Sequence, residues 1–215
     1  MTDETPTQGM PQLNERAPAF HANTTHGPLG LEDYRGRWLV LFSHPADFTP
    51  VCTTEFIAFA ERNAEFEKRG ASLLGLSIDS PHSHVAWVRN IKEKFGVDIP
   101  FPIIADLNMK VANAYGMIQP GASDTSAVRA TFFIDPEGVL RAMVYYPMTN
   151  GRSVDEFLRL LDALQTSDKH GVATPENWKP GEKVIVPPPG TAQAAEARLS
   201  EGYECVDWYF CKKDL

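Results

Sequence analysis

Three cysteines offer the most chemistry in this 215-residue chain: Cys52, Cys205 and Cys211. So sparse and odd a set is a poor disulfide framework, which leaves redox chemistry, metal ligation or plain burial. Cys52 stands in Phe42-Ser-His-Pro-Ala-Asp-Phe-Thr-Pro-Val-Cys-Thr-Thr-Glu55, which runs from an apolar stretch into a helical pattern. A cysteine in a first helical turn faces unpaired backbone N–H groups and the positive end of the helix dipole. Both favour thiolate over thiol, and the thiolate is the nucleophile. A nearby arginine would act in the same direction, because a guanidinium keeps its charge at any physiological pH. Burial is the default for a free cysteine, but a place between Pro50 and Thr53-Thr54, just past a polar loop, fits it poorly. Thr49 alone would read as a helix N-cap. His82 and His84 are two apart and would point different ways on a helix, so they make no metal pair. A zinc site drawing on Cys205, Cys211 and these histidines stays open, although the Cys-x5-Cys spacing is wider than usual.

The elements that must position these residues follow from hydrophobic pattern. Trp38–Phe42, Leu73–Ile78 and Ala130–Ile134 are continuous apolar runs, as expected of strands covered on both faces. Cys52–Lys68 reads as a helix, and Ser80-Pro81 opens a second one running to about Phe95. Asp135-Pro-Glu-Gly138 fits a type I turn joining the third strand to Val139–Tyr146 as a hairpin. Ser153 caps a long amphipathic helix with Val154, Phe157, Leu158, Leu160, Leu161 and Leu164 on its inner face. Strands alternating with helices, plus one hairpin, predict an α/β layered domain with a mixed central sheet. Ends of parallel strands are where such sheets put their sites. From about residue 170, Pro175, Pro180-Gly181 and Pro187-Pro-Pro-Gly190 predict an extended arm without its own core, apart from a short helix over Ala192–Leu199. Its aromatics, Tyr203, Trp208, Tyr209 and Phe210, need a surface to cover, and a partner subunit is the expected one.

Composition excludes several classes. With 43% apolar residues the chain can build a proper core. A formal charge of −8 argues against nucleic acid as a partner, since phosphate binding needs clustered Lys and Arg. No apolar run approaches the ~18 residues of a membrane span, so no membrane is expected. The first twelve residues are polar and do not resemble a secretory signal, so the cytoplasm is the expected location.

The pattern Pro45-x-x-x-Thr49-x-x-Cys52 resembles the peroxiredoxin signature. Ser43-His44-Pro45 and Thr49-Pro-Val-Cys-Thr-Thr-Glu55 resemble the 1-Cys subfamily, in particular archaeal and bacterial members with two extra C-terminal cysteines. Leu76-Ser-Ile-Asp-Ser80, Phe101-Pro-Ile-Ile104, Gly151-Arg152, Val172-Ala-Thr-Pro175 and Trp178-Lys-Pro-Gly181 extend the likeness over nearly the whole chain. The resemblance implies a thioredoxin-like fold over residues 13–168, after a flexible N-terminus (1–12) and before a C-terminal dimerisation arm (169–215). It implies a peroxidase without cofactor or metal, acting on hydrogen peroxide and organic hydroperoxides in antioxidant defence, as a homodimer or a ring of dimers.

By the same resemblance, Cys52 attacks the peroxide and becomes a sulfenic acid. Thr49 hydrogen-bonds the peroxide, and Pro45 shields the sulfur from water. Arg129 stabilises the thiolate and the charge moving onto the leaving oxygen. His44 is a hydrogen-bonding group beside the pocket, Arg152 a second pocket arginine, and Glu55 the residue that orients the arginine. A lower pKa alone accelerates little, because nucleophilicity falls with it. Holding and polarising the O–O bond must therefore do most of the work. The tail cysteines depart from the single-cysteine pattern of many members: Cys211 is expected to resolve the sulfenic acid, with Cys205 as its exchange partner and a thioredoxin-like dithiol as reductant. Some relatives carry a lipase-like Gly-x-Ser-x-Gly ahead of the His-Pro pair; Tyr34-Arg-Gly-Arg-Trp38 has no serine, so phospholipase activity is not implied. A redox-dependent holdase or peroxide sensor, and a metal-binding protein, are the competing readings.

Overall fold

The computed structural model describes residues 10–123 and 125–215. Most of the 1–12 segment thus lies outside the described residues. The chain passes from one compact unit to a second between Val154 and Asp155, upstream of the residue 168/169 boundary read from the sequence.

The first unit opens with a hairpin of β1 (His21–Thr24) and β2 (Gly27–Gly30). Gly27 supplies the positive φ of 99° that this tight reversal needs. There follow β3 (Trp38–Ser43), α1 (Pro50–Glu61), α2 (Asn63–Lys68), β4 (Ala71–Ser77), α3 (Pro81–Phe95), β5 (Ile103–Ala105), α4 (Lys110–Ala114), β6 (Arg129–Ile134) and β7 (Leu140–Tyr146). Among the described residues the seven strands form one mixed sheet in the order β2-β1-β5-β4-β3-β6-β7. β3, β4 and β5 run parallel, while β6 returns antiparallel to β3. This is the thioredoxin-like arrangement of a mixed sheet with helical connections.

All six residues of β3 and of β6 are buried, which is why both read as largely apolar runs, with the polar Ser43, Arg129 and Thr131 buried among them. The Asp135 turn closes through Gly138 N–H on the Asp135 carbonyl at 2.9 Å, with Gly138 at φ 80°. α3 is punctuated as its sequence implies: the Ser80 hydroxyl accepts from Ser83 N–H, Pro81 occupies the first turn, and Gly96 ends the helix left-handed. The single helix expected over Cys52–Lys68 is two, interrupted at Arg62 (φ −98°, ψ 2°). No Gly or Pro marks that break. The short α4 is held by the Asp106 carboxylate, which accepts from Val111 N–H and Ala112 N–H.

The second unit contains α5 (Val154–His170, begun at the last residue of the first unit), β8 (Val184–Val186), α6 (Ala192–Arg198), β9 (Glu204–Asp207) and β10 (Phe210–Lys213). Its strands form a three-stranded antiparallel sheet in the order β8-β10-β9. Ala163, Val172, Trp178 and Val184 make a small buried cluster. The tail is therefore more regular than its proline and glycine content implies, with a cluster of its own. Trp178 is its largest member, and its Nε1–H donates to the Glu182 carbonyl at 3.0 Å. Trp178→Ala removes both packing and a bonded donor; we expect a loss of about 3–5 kcal/mol from this unit, read as lost amide-exchange protection in residues 163–186.

Candidate active site

Cys52 is the third residue of α1 and is completely buried. Thr49 takes the extended N-cap conformation, but its hydroxyl donates to the Ala46 carbonyl at 2.8 Å instead of capping the helix. Its oxygen lone pairs stay available as acceptors. Phe48, next to it, sits at φ 54°, a left-handed conformation that is costly for a bulky side chain. This kink ends the loop from β3 and leaves the Phe48 ring 57% exposed beside the half-buried Thr49. Cys52, Glu55, Phe56 and Phe59 share the inner face of α1 at helical spacing.

β6 brings in the guanidinium. Ser43, at the end of β3, donates to the Val128 carbonyl and accepts from Ala130 N–H. One hydroxyl thus pins the backbone on both sides of Arg129. The Arg129 side chain is then fixed by its Nε and Nη2 donating to the Met148 carbonyl at 2.9 and 2.8 Å. Its Nη1 lies 3.4 Å from Cys52 Sγ and 2.6 Å from Glu55 Oε2. Arg152 donates through its backbone N–H and Nε to Glu55 Oε1, through Nη2 to Oε2, and through Nη1 to the Ala130 carbonyl and Thr131 Oγ1. All four residues are buried. Burial would push the Glu55 carboxyl up, but the charges and hydrogen bonds of Arg152, and the charge of Arg129, hold it below its usual range.

Two guanidiniums, one carboxylate and one sulfur balance electrically only when that sulfur is the thiolate. The Arg129 guanidinium and the N-terminal turn of α1 both present positive charge to Cys52 Sγ.

His44 follows Ser43 and is also completely buried. Its ring packs edge-on against Phe56 at 4.7 Å, one turn beyond Cys52 on the same helix face. Its Nε2 lies 2.9 Å from Asp47 Oδ1, while its Nδ1 is buried with no hydrogen-bond partner. Behind Asp47 stands His84 of α3, with Nδ1 2.8 Å from Asp47 Oδ2 and Nε2 3.1 Å from the Ile104 carbonyl. Ligand atoms of His44, Asp47 and His84 lie within 4.8 Å of one another, as metal ligands would. Each ring nitrogen of His84 thus faces an oxygen, Nδ1 the Asp47 carboxylate and Nε2 the Ile104 carbonyl. Pro45 is half-buried between His44 and this loop.

The structure thus brings together His44, Pro45 and Thr49 of the β3–α1 loop, Cys52 and Glu55 of α1, Arg129 of β6 and Arg152 of the segment ahead of α5. Cys205 and Cys211 lie in the second unit as a cross-strand pair of β9 and β10, joined in a disulfide, with Cys52 left as a free thiol. Disulfide sulfurs do not ligate zinc, so the metal alternative built on them fails in this oxidation state. Cys211 is fully buried, Cys205 partly so, and Val206, Trp208 and Tyr209 stand exposed around them. Sequence reasoning missed Asp47, His84 and the Ser43 bridge. His84 had a signal: with Trp87 and Ile91 it occupies the inner face of α3, an odd place for a histidine without a task.

Residues 13–143 match the AhpC/TSA family, and residues 163–202 match the C-terminal domain of 1-Cys peroxiredoxin. A peroxiredoxin of Aquifex aeolicus is 61% identical over 96% of this chain and 98% of its own length. One from Methanosarcina mazei is 50% identical over 95% of this chain and 99% of its own. Among solved structures, a yeast mitochondrial 1-Cys peroxiredoxin described for thiol resolution via glutathione/thioredoxin systems superposes with a TM-score of 0.84. It is 41% identical and covers 96% of this chain and 100% of its own. A cysteine-to-serine mutant of the peroxiredoxin 6 of Arenicola marina gives the same TM-score at 36% identity, with 95% and 98% covered.

Proposed function

Because this chain belongs to the AhpC/TSA family of peroxiredoxins and is a thiol peroxidase, we propose that Cys52 is its attacking sulfur and that Cys205 and Cys211 complete its cycle. The observation that carries this reading is the Arg129 guanidinium 3.4 Å from Cys52 Sγ, in a buried cluster balanced by Glu55 and Arg152. The thiolate attacks one oxygen of a hydroperoxide, hydrogen peroxide or an organic one. The S–O bond forms, the O–O bond breaks, and the departing alkoxide or hydroxide takes up a proton. Arg129 meets the charge as it shifts from sulfur to the leaving oxygen. Thr49, whose own proton is committed to Ala46, accepts the hydrogen bond of the peroxide O–H. Pro45 keeps water from the sulfur.

The resulting Cys52 sulfenic acid condenses with the Cys211 thiol, releasing water. Cys205 then attacks Cys211, frees the Cys52 thiolate and forms the Cys205–Cys211 disulfide. Since Cys52 is fully buried, the first turn of α1 must open for this exchange. An outside dithiol of thioredoxin type, one of the two systems named for the yeast neighbour, restores the pair. The exposed Trp208 and Tyr209 suit assembly of several copies of the chain.

Non-reducing gels after one equivalent of peroxide test the order of exchange. Cys205→Ser is expected to accumulate a Cys52–Cys211 bond, and Cys211→Ser a sulfenic acid at Cys52 that dimedone captures. A Cys52–Cys205 bond in Cys211→Ser would reverse the order. Full thioredoxin-linked turnover in the Cys205, Cys211 double serine variant would remove the tail from the cycle.

A further inference from the structure

Both ring nitrogens of His84 face oxygens that cannot donate: the Ile104 carbonyl at Nε2 and the Asp47 carboxylate at Nδ1. A neutral imidazole carries one N–H and would turn a lone pair on one of them. We propose that His84 is a positioning residue of the peroxidase site: it carries both ring protons, keeps Asp47 ionised, and through Asp47 fixes His44 in the tautomer that leaves Nδ1 as a bare acceptor beside the Cys52 turn.

An ionised Asp47 can only accept, so His44 must bear its proton on Nε2, the nitrogen 2.9 Å away. Nδ1 is then a lone pair, buried and without a partner. A proton there would be worse: burial already pushes His44 down from its ordinary value, which disfavours the doubly protonated ring. Burial pushes the Asp47 carboxyl up, yet hydrogen bonds from His44 and His84 hold it well below the usual range. Asp79 accepts from Asp47 N–H at 3.0 Å and from the Ser77 hydroxyl at 2.7 Å; its charge favours a protonated His44, but burial of that ring outweighs it. Arg129 and Glu55 belong to a separate set of contacts. A buried orphan acceptor is uncommon and calls for a donor. The His44 ring packs on Phe56, one turn beyond Cys52, so this acceptor lies on a residue packed against the inner face of the helix that carries the sulfur. The link to peroxide rests on the peroxidase reading; the proton arrangement does not.

Nitrogen-15 NMR of the full chain labelled in histidine separates the two. His44 and His84 are buried, whereas His21, His26, His82 and His170 are exposed. The expected wild-type spectrum has one buried ring with two protonated nitrogens and one with Nε2 protonated and Nδ1 bare. Asp47→Asn presents an amide N–H to His44 and is expected to move its proton to Nδ1, lowering kcat/KM for peroxide of the order of 10²-fold. Asp47→Glu, which keeps the charge, is expected to restore the tautomer. A His84 with a bare nitrogen, or a wild-type His44 protonated at Nδ1, overturns the proposal even if peroxide is consumed. An unperturbed kcat/KM in Asp47→Asn with the proton moved overturns the positioning role. Absence of peroxide turnover in the wild type, with the proton pattern as expected, would sink the peroxidase reading alone.

Discussion

Cys52→Ser is expected to abolish peroxide consumption while the protein stays folded. Serine is isosteric and can accept the Arg129 hydrogen bond in the same buried space. Its hydroxyl, however, is a far weaker nucleophile than a thiolate at neutral pH. Loss of an activated nucleophile costs at least about 10⁴-fold in turnover, which should leave only the slow reaction of peroxide with other thiols. The assay should use a small dithiol as reductant, so that the tail cysteines are not needed for recycling. Consumption at the wild-type rate would refute Cys52 as the attacking sulfur. Retained client protection in the folded, inactive variant would bring back the holdase reading.

The separation between readable and unreadable parts of this site follows the range of the contacts. Pro50, Thr49 and Cys52 are neighbours in the chain, so their pattern alone places the sulfur in a first helical turn, where the structure has it. Arg129 lies 77 residues from Cys52. A buried strand says nothing by itself about which helix its arginine will meet, and only likeness to a family connects the two. The mixed sheet is legible because β3, β4 and β6 are long and apolar on both faces. β1, β5 and β8 have three or four residues and no usable period. The tail shows the same limit. Its prolines argue against regular structure, yet β8 runs Val184–Val186 just ahead of them and pairs with a strand some 25 residues on, near the C-terminus. His84 escapes a reading by spacing, because the neighbour that spacing offers it is His82, and two residues apart on a helix they do not meet. Its real neighbours, Asp47 and the Ile104 carbonyl, come from other elements that only folding brings together.

Glu55→Gln should cost the fold more than any other single change at this site. Glu55 is the shared acceptor of both buried guanidiniums, receiving Arg129 at 2.6 Å and Arg152 at 2.8, 2.9 and 2.9 Å. Glutamine keeps the shape but removes the charge and turns an N–H₂ toward a donor. Two positive groups then face no carboxylate but only the Cys52 sulfur, and breaking a buried ion pair from one side costs about 3–5 kcal/mol. Protonating the wild-type carboxyl does the same by another route. The folded-state value of Glu55 is depressed, so its contribution is fully present above the unfolded carboxyl value of about 4.3. It is lost as pH falls through the lower folded-state value. Urea midpoints of wild type and Glu55→Gln should therefore differ by a constant amount above about pH 5 and converge below about pH 4. Asp47 is depressed too and remains in the variant, so some acid sensitivity persists. Parallel midpoints down to about pH 2 would mean that Glu55 does not hold the two guanidiniums together. The charge balance that favours an ionised Cys52 would then need another source.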